Sequence, residues 1–597
     1  MQHQPISKND YHLFGLKSLL WLLFGWTGFL LTLVGFFHAW LVWGIFFAGM
    51  LFLVRYFLKN KSSLLPSTEL LVVSITLLLV VIGLSFFTTP TIFSGRDQGS
   101  ISEAAIRLAQ NHTLNFSTPA SQTFSQIHGE GRALNFPGFF YTAKGGLVTQ
   151  FPLVYTAWLA SFYGIFGLVG LTIANAVALL WFLFSFYFLA RLFMPARSSA
   201  IGLFFAVTSL LTFWLPKYTL SENLALPLLW LGIFGLLSFL KEQTKLNLAL
   251  LFASLILLIF TRIEGIAFFL TSLAILFYHQ EAKSYLKKLW GKKFIGVLLF
   301  LLFVVLANFF WETNFYKEII KAILPTTTAP LDASAQITAE ALPSFYLSKI
   351  FGLYGMLGFF ILSTVACVLY ALRRKFTKLI PFLIIAPTLL YFFDSHISPD
   401  HPWMLRRFAF SLLPAAIFYC TLLIGDFDQY LVAGKKNQLL RIFPIALASL
   451  LILTNMPAFW HLAFLAENQP LLEQTRQLSK HFSDKDLILV DRLATGDGWS
   501  MLTGPLNFLE GKNAVYFFNL NDLSKLNTKK FESVYLLTPT NRNGFYLNSA
   551  IGSFLTPVDK FTLTTSRLNL KKATNGVALA FPNQQTITVP LTIFRIQ

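Results

Sequence analysis

The sequence predicts an α-helical polytopic membrane protein of about thirteen transmembrane helices with a small extracytoplasmic α/β domain at its C-terminal end. Three observations predict it. Of 597 residues, 55% are hydrophobic and only 12% charged, against about 25% charged in soluble chains, and the mean hydropathy is +0.62. Apolar windows recur along most of the chain, each long enough to cross about 30 Å of hydrocarbon. The pattern then stops near residue 460, where short strand-like runs take over.

Backbone groups in lipid must be bonded internally, so the apolar windows are expected to be helices. They fall near 16–36, 39–57, 69–88, 169–191, 199–215, 223–240, 246–260, 265–280, 294–312, 346–371, 379–393, 407–425 and 442–460. The N-terminal region starts polar and runs into two long apolar segments without an A-x-A-like cleavage site, which reads as membrane domain and not as a signal peptide. Basic residues collect in alternate connections: Arg55, Lys59 and Lys61; Arg191 and Arg197; Lys283, Lys287, Lys288, Lys292 and Lys293; Arg373, Arg374, Lys375 and Lys378; Lys435, Lys436 and Arg441. Thirteen spans put all of them on one side. The positive-inside rule makes that side cytoplasmic, with the N-terminus inside and the C-terminus outside a cell (inner or plasma) membrane.

The same bias accounts for the formal net charge of +19, so it is not a sign of nucleic-acid binding. Cys367 and Cys420 both lie in apolar windows and predict neither a disulfide framework nor a cysteine metal site. The stretch 149–167, TQFPLVYTAWLASFYGIFG, is apolar enough to pass for a span, yet counting it would break the charge alternation. It is expected to be an interfacial helix along the outer leaflet, with its aromatics at that depth.

Three regions result. Residues 1–68 hold two spans and a cytoplasmic loop. Residues 69–460 form the membrane domain, with external loops 89–168 and 313–345. Residues 461–597 form the external domain, where LILV (487–490), SVYLL (533–537) and ITVPLTIF (587–594) read as strands between Gly, Asn and Asp turns.

Four polar clusters on the outer side could carry chemistry. Arg96-Asp97-Gln98-Gly99 precedes ISEAAIRLAQ, a short amphipathic helix pattern. Asp97 there is either a helix N-cap or a general base. Lys217-Tyr218-Thr219-Leu220-Ser221-Glu222 is a short external turn. Its Glu222 is commonly a first-turn acid, but Lys217 runs against the charge rule. Arg262 and Glu264, in TRIEG, either pair structurally or serve a site, since ionisable groups near the membrane boundary are expensive.

The densest cluster runs from Asp394 to Arg407 and includes His396, Asp400 and His401. Its His and Asp residues lack the H-E-x-x-H spacing of a metal site. Arg406 and Arg407 open an apolar span from the outer side. Arg suits bidentate phosphate contact, and a lipid phosphate lies at that depth. No Walker A or Rossmann glycine pattern is present, so an outward-facing transferase here needs a donor other than a cytosolic nucleotide sugar. A polyprenyl-phosphate sugar meets that need.

Taken in order, SGRDQGS, GRALNFPGFFYTAKGGLVTQFPLVYTAWLASFYGIFG, LPKYTLSE, TRIEG and HPWMLRRF resemble the GT-C superfamily of membrane glycosyltransferases. The likeness is to its protein O-mannosyltransferase and aminoarabinose transferase branch, and it covers residues 65–460. The resemblance implies a multi-span fold with surface helices in the first external loop. It makes the acid of that loop, Asp97, the catalytic base. The second-loop acid falls on Glu222, where many members have Asp. It also admits a divalent metal between Asp97 and Glu222, since some members use one and others do not. The first pair of spans departs from the commonest layout.

The implied reaction is an inverting sugar transfer from a polyprenyl-phosphate donor to a hydroxyl of a glycan, lipid or protein acceptor. Glu222 orients a substrate, while Arg406, Arg407, Lys217 and Arg262 stabilise the leaving phosphate. Arg96, Lys144, Tyr218, Glu264, His396, Asp400 and His401 complete the expected substrate-binding set. The competing readings are a transporter or flippase of lipid-linked sugars and a membrane-anchored binding protein whose tail does the work.

Overall fold

A computed structural model describes residues 7–59, 66–88, 91–289, 291–314, 316–317, 346–393, 397, 400–433, 438–496, 498, 501–569 and 579–597. His396 and most of the expected external loop 313–345 lie outside these residues.

The chain begins with three apolar helices, α1 (Lys8–Leu33), α2 (Ala39–Lys59) and α3 (Thr68–Ser85). Ser7 caps α1 by accepting from the Asp10 amide at 3.0 Å. Asp10 in turn accepts from the amide of Ser67, which caps α3, so two helix starts are tied together at one level. The segment between α3 and the next apolar helix follows, with α4 (Asp97–Asn111), α5 (Pro119–His128) and the antiparallel strands β1 (Gly131–Arg132), β2 (Phe139–Tyr141) and β3 (Leu147–Thr149). α5 carries a capping box between Thr118 and Ser121 and starts on Pro119, the residue type whose fixed φ suits a first turn.

The membrane domain continues through α6 (Leu153–Phe166), α7 (Leu168–Arg191), α8 (Ala196–Val207), α9 (Leu210–Phe213), α10 (Glu222–Lys241), α11 (Lys245–Ile259), α12 (Glu264–Tyr278), α13 (Gln280–Leu289) and α14 (Lys292–Trp311). Helices over Tyr346–Leu353, Leu357–Leu372, Phe376–Ile385, Arg406–Ala409, Leu412–Ala433 and Gln438–Leu462 complete it. Among the described residues, six helices are long and apolar enough to cross a membrane, or up to nine if each of three bent pairs is one span. That falls short of the thirteen expected. Four shorter apolar helices, Lys245–Ile259, Glu264–Tyr278, Ile295–Trp311 and Phe376–Phe392, occupy the remaining predicted positions.

The outer helices expose Leu71, Val72, Leu78 and Leu79 on α3 and Val297, Leu298 and Leu299 on α14. A contiguous apolar surface of this kind is a liability in water and suits lipid tails. α10, by contrast, is buried almost throughout.

α6 departs from expectation. Leu153 to Phe162 are all buried. Trp158 packs against Trp21, Phe24 and Trp181 and donates to the Ala174 carbonyl at 3.1 Å. Tyr155, Trp158 and Phe162 therefore face protein, not lipid headgroups, and only the end of the stretch, at Ile165 and Phe166, is exposed. α1 and α2 give it this cover: Trp43 donates to Ser161 on α6, and Trp26 to Ala253 on α11. The first pair of helices is thus packed into the scaffold that backs α4.

The C-terminal domain is a mixed five-stranded sheet in the order β5-β4-β6-β8-β7. The strands are β4 (Leu487–Asp491), β5 (Asn513–Phe517), β6 (Val534–Pro539), β7 (Leu555–Leu568) and β8 (Gln584–Ile596). β4 runs parallel to both β5 and β6, while β8 is antiparallel to β6 and β7. The three expected runs are β4, β6 and β8. β5 and β7 are additional.

Candidate active site

Asp97 is the first residue of α4, and its predecessor Arg96 is the N-cap, with no side-chain capping bond. Asp97 therefore does not cap the helix. The turn before it is set by Ser94, whose hydroxyl accepts from the Arg96 amide at 3.1 Å. The Ser94 carbonyl then lies where a Cβ on Gly99 would be, 1.9 Å away, so only glycine fits the RDQGS turn. Three hydroxyls fasten this turn to the next external loop. Ser102 meets Thr219 at 2.7 Å and Thr91 at 3.0 Å, Thr91 also meets Thr219, and the Gln98 carbonyl accepts from Thr219 at 2.7 Å. This local weave places the start of α4 over the start of α10, and so Asp97 near Glu222.

Around that point four carboxylates and four guanidinium groups interlock. Arg406 donates to Asp97 Oδ2 at 2.7 Å and lies 3.7 Å from Glu222. Arg262 reaches Glu222 at 2.8 Å and grips Glu264 with two bonds, at 2.7 and 3.2 Å. Arg407 is 3.8 Å from Glu264, which also accepts from the Tyr391 hydroxyl. Arg96 pairs with Asp400. Trp403 takes both Arg96 and Arg406 over its ring, at 5.0 and 4.4 Å from the centroid, and Arg262 lies over Phe410 at 4.7 Å.

Buried charge is tolerated only when paired, and here each buried acid has a guanidinium. Asp97 stands out because its side chain is 41% exposed, against 2% for Glu222, 12% for Glu264 and 7% for Asp400. Arg406 fixes one of its oxygens, while the other accepts no hydrogen bond among the described residues. The arrangement offers one presented carboxylate, oriented from behind, inside a field of guanidinium groups.

The structure thus brings together Asp97, Glu222, Arg262, Glu264, Arg406 and Arg407, with Arg96 and Asp400 alongside. Other expected site residues lie outside this cluster, with Tyr218 on the wall of an adjoining cavity beside Arg96 and Trp403. Lys217 donates to the carbonyls of Leu462 and Leu465 at 2.8 and 2.5 Å, and Tyr218 donates to Glu467 at 2.5 Å. Both tie the membrane domain to the start of the tail. His401 is buried, with Nδ1 3.0 Å from the Tyr354 hydroxyl. Lys144 is exposed on the β2–β3 turn and lines a separate surface groove with Lys530.

A divalent ion between Asp97 and Glu222 does not fit, because the Arg406 guanidinium already bridges them. Among the described residues no group of three or more His, Cys, Asp or Glu could hold a metal ion.

Sequence reasoning missed Tyr391 and the stacking role of Trp403. Trp403 stood in plain view in HPWMLRRF, three residues before an outer-side Arg. Tyr391, inside an apolar run, gave no local signal.

No family model and no curated protein matches the sequence. Among solved structures, the chain is similar to ArnT from Cupriavidus metallidurans in the apo state, at 12% identity and a TM-score of 0.48 over 89% of this chain and 98% of that one. It is also similar to the same protein bound to undecaprenyl phosphate, at 11% identity with the same score and coverage.

Proposed function

We propose that this chain is a GT-C-like membrane glycosyltransferase that moves a sugar from a polyprenyl-phosphate donor to an acceptor hydroxyl on the extracytoplasmic side. One observation carries the reading. Asp97 alone among the cluster's acids presents a carboxylate to an incoming group, and it does so at the outer ends of apolar helices, where a lipid phosphate would lie.

In the reaction, the acceptor hydroxyl gives its proton to Asp97 as its oxygen bonds to the anomeric carbon. The bond from that carbon to the phosphate oxygen breaks with inversion, and polyprenyl phosphate leaves as the anion. A phosphate leaving group needs charge stabilisation more than protonation. Arg407 is the cluster's loosest ion-pair partner and, with Arg96, has the guanidinium most open to a newcomer. Arg406 holds the base. Arg262 and Glu222 form the buried frame on which Arg406 rests, so Glu222 acts by positioning.

The test is turnover by a well-folded Asp97→Asn variant. General-base help is worth about 10²–10⁴ in rate, so transfer should fall by at least about 10²-fold while lipid-phosphate binding persists. Transfer at the wild-type rate would remove Asp97 from the chemistry. A protein that moves lipid-linked sugar across the bilayer without forming product would instead be a flippase.

A further inference from the structure

Between the outer ends of the apolar helices and the C-terminal sheet lies a cavity of about 360 Å³, within the range of about 300–1,000 Å³ usual for small-ligand sites. Its membrane-side wall includes Arg96, Gln98 and Trp403, and its opposite wall includes Arg567, Asn569 and Gln585 from the C-terminal domain. The residues immediately before and after Asp97 thus both line it.

We propose that this cavity is the acceptor-saccharide subsite, and that the C-terminal domain uses Arg567 and Gln585 to read the sugar that carries the accepting hydroxyl. The proposal rests on the transferase reading above and gives the C-terminal domain its place in it.

Three features point to an uncharged, hydroxyl-rich ligand. First, Gln98 is 6% exposed, and its Oε1 has no hydrogen-bond partner among the described residues. Buried polar atoms are normally satisfied, and this orphaned acceptor belongs to a side chain of the cavity wall. Second, the charges in the walls are answered within the protein. Arg96 pairs with Asp400, Arg567 donates to the Thr495 carbonyl at 2.6 Å, and Glu467 accepts from Tyr218 at 2.5 Å and from the Leu568 amide at 2.6 Å. Among the described residues, each charged group of the walls thus already has a partner within the protein. Third, the planar amides of Gln98, Asn569 and Gln585 both donate and accept, which complements sugar hydroxyls that do the same.

The far wall is also held in place. Asn135 donates to the Tyr516 carbonyl at 2.8 Å, Gln110 to the Phe508 carbonyl at 3.0 Å, and Tyr218 to Glu467. The C-terminal domain is therefore bonded to α4, which carries Asp97, and to the segments on either side of it.

The test uses the full chain in nanodiscs on an immobilised panel of mono- to tetrasaccharides built from hexoses, hexosamines, deoxyhexoses and pentoses, with undecaprenyl phosphate binding measured in parallel. Wild type should bind at least one saccharide. Gln585→Trp, at an exposed position on β8, should fill the cavity, and Arg567→Ala should remove a donor. Each should weaken that binding by about tenfold or more, the scale of one lost hydrogen bond, and leave undecaprenyl phosphate binding as it was. Thermal midpoints near wild type for Gln585→Trp separate blockage from misfolding. The proposal is overturned if no saccharide binds, or if Gln585→Trp binds as well as wild type. Saccharide binding without undecaprenyl phosphate binding defeats the transferase reading and keeps the subsite, and the reverse result does the opposite.

Discussion

At the residue scale, the decisive contacts join side chains far apart in sequence. Glu222 and Glu264 are separated by one guanidinium, that of Arg262. Removing one partner of a buried ion pair leaves an uncompensated charge and costs about 3–5 kcal/mol. Arg262→Gln should therefore lower the unfolding midpoint of the detergent-purified protein sharply, more than Glu222→Gln does. The Glu222→Gln/Arg262→Gln double variant should recover part of the loss, since the orphaned acid is gone. A double-mutant cycle over the four proteins reads the coupling. Strictly additive effects would mean that the two residues do not act as a pair. The position of Arg262 behind Glu222 also explains why it is not free to meet a donor phosphate, despite its promise in the sequence.

At the element scale, α4 carries two predictions. Its first turn depends on Gly99, where a Cβ would lie 1.9 Å from the Ser94 carbonyl oxygen. That oxygen is backbone and has little room to give, so Gly99→Ala should displace the turn and Asp97 with it. Misplacement of a reacting group by about 1 Å can lower a rate by about 10²-fold. Sugar-transfer assays on Gly99→Ala should show a loss of that order with the protein still folded, and an unchanged rate would show that the turn accommodates the methyl.

Further along α4, Glu103 faces the C-terminal domain at Gly504. Burial pushes its carboxyl up to about 7 from the ordinary 4.5, with nearby Arg107 pulling the other way. A carboxyl whose folded value is raised holds its proton better folded than unfolded, so its stabilising share is complete below about pH 4.5 and is lost as pH rises through about 7. Wild type and Glu103→Gln should therefore melt alike at pH 5, and the variant should melt higher at pH 8. A gap that stays constant from pH 5 to pH 8 would rule Glu103 out as the titrating group.

At the scale of the whole molecule, the distribution of charge predicts an orientation. With thirteen spans, lysine and arginine would gather at one set of helix ends, and the acid–arginine cluster and the C-terminal domain would fall at the other. In a background lacking Cys367 and Cys420, Ser284→Cys and Phe376→Cys should label only from the cytoplasmic side and Asn521→Cys only from outside. Labelling of positions 376 and 521 from one side would change the parity of the spans between them. The same scale explains the role of Lys217 and Tyr218. Both sit at the C-terminal end of a bent helix pair and hold residues 462–467, the chain's passage from its last apolar helix into the sheet.

The sequence by itself determined that the chain is a multi-helix membrane protein, though not the number of its spans, because a bilayer imposes a local rule: each crossing must be a long apolar helix. It also disclosed Asp97, Glu222, Arg262, Glu264 and the Arg406–Arg407 pair, since polar residues at the ends of apolar helices are conspicuous against their surroundings. The runs that became β4, β6 and β8 were legible as compact apolar strands. β7 was hidden because it is an edge strand whose polar residues face solvent. Only the tertiary structure decided who meets whom. Arg406 and Asp97 are 309 residues apart, and Arg96 and Asp400 are 304 apart, so no local pattern records those pairs. It also decided that α6 is core, that Lys217 and His401 are bonded away from the cluster, and that the C-terminal domain closes a polar cavity beside Asp97. Each of these depends on how distant helices and strands pack, and composition along a single segment carries no information about its neighbours in space.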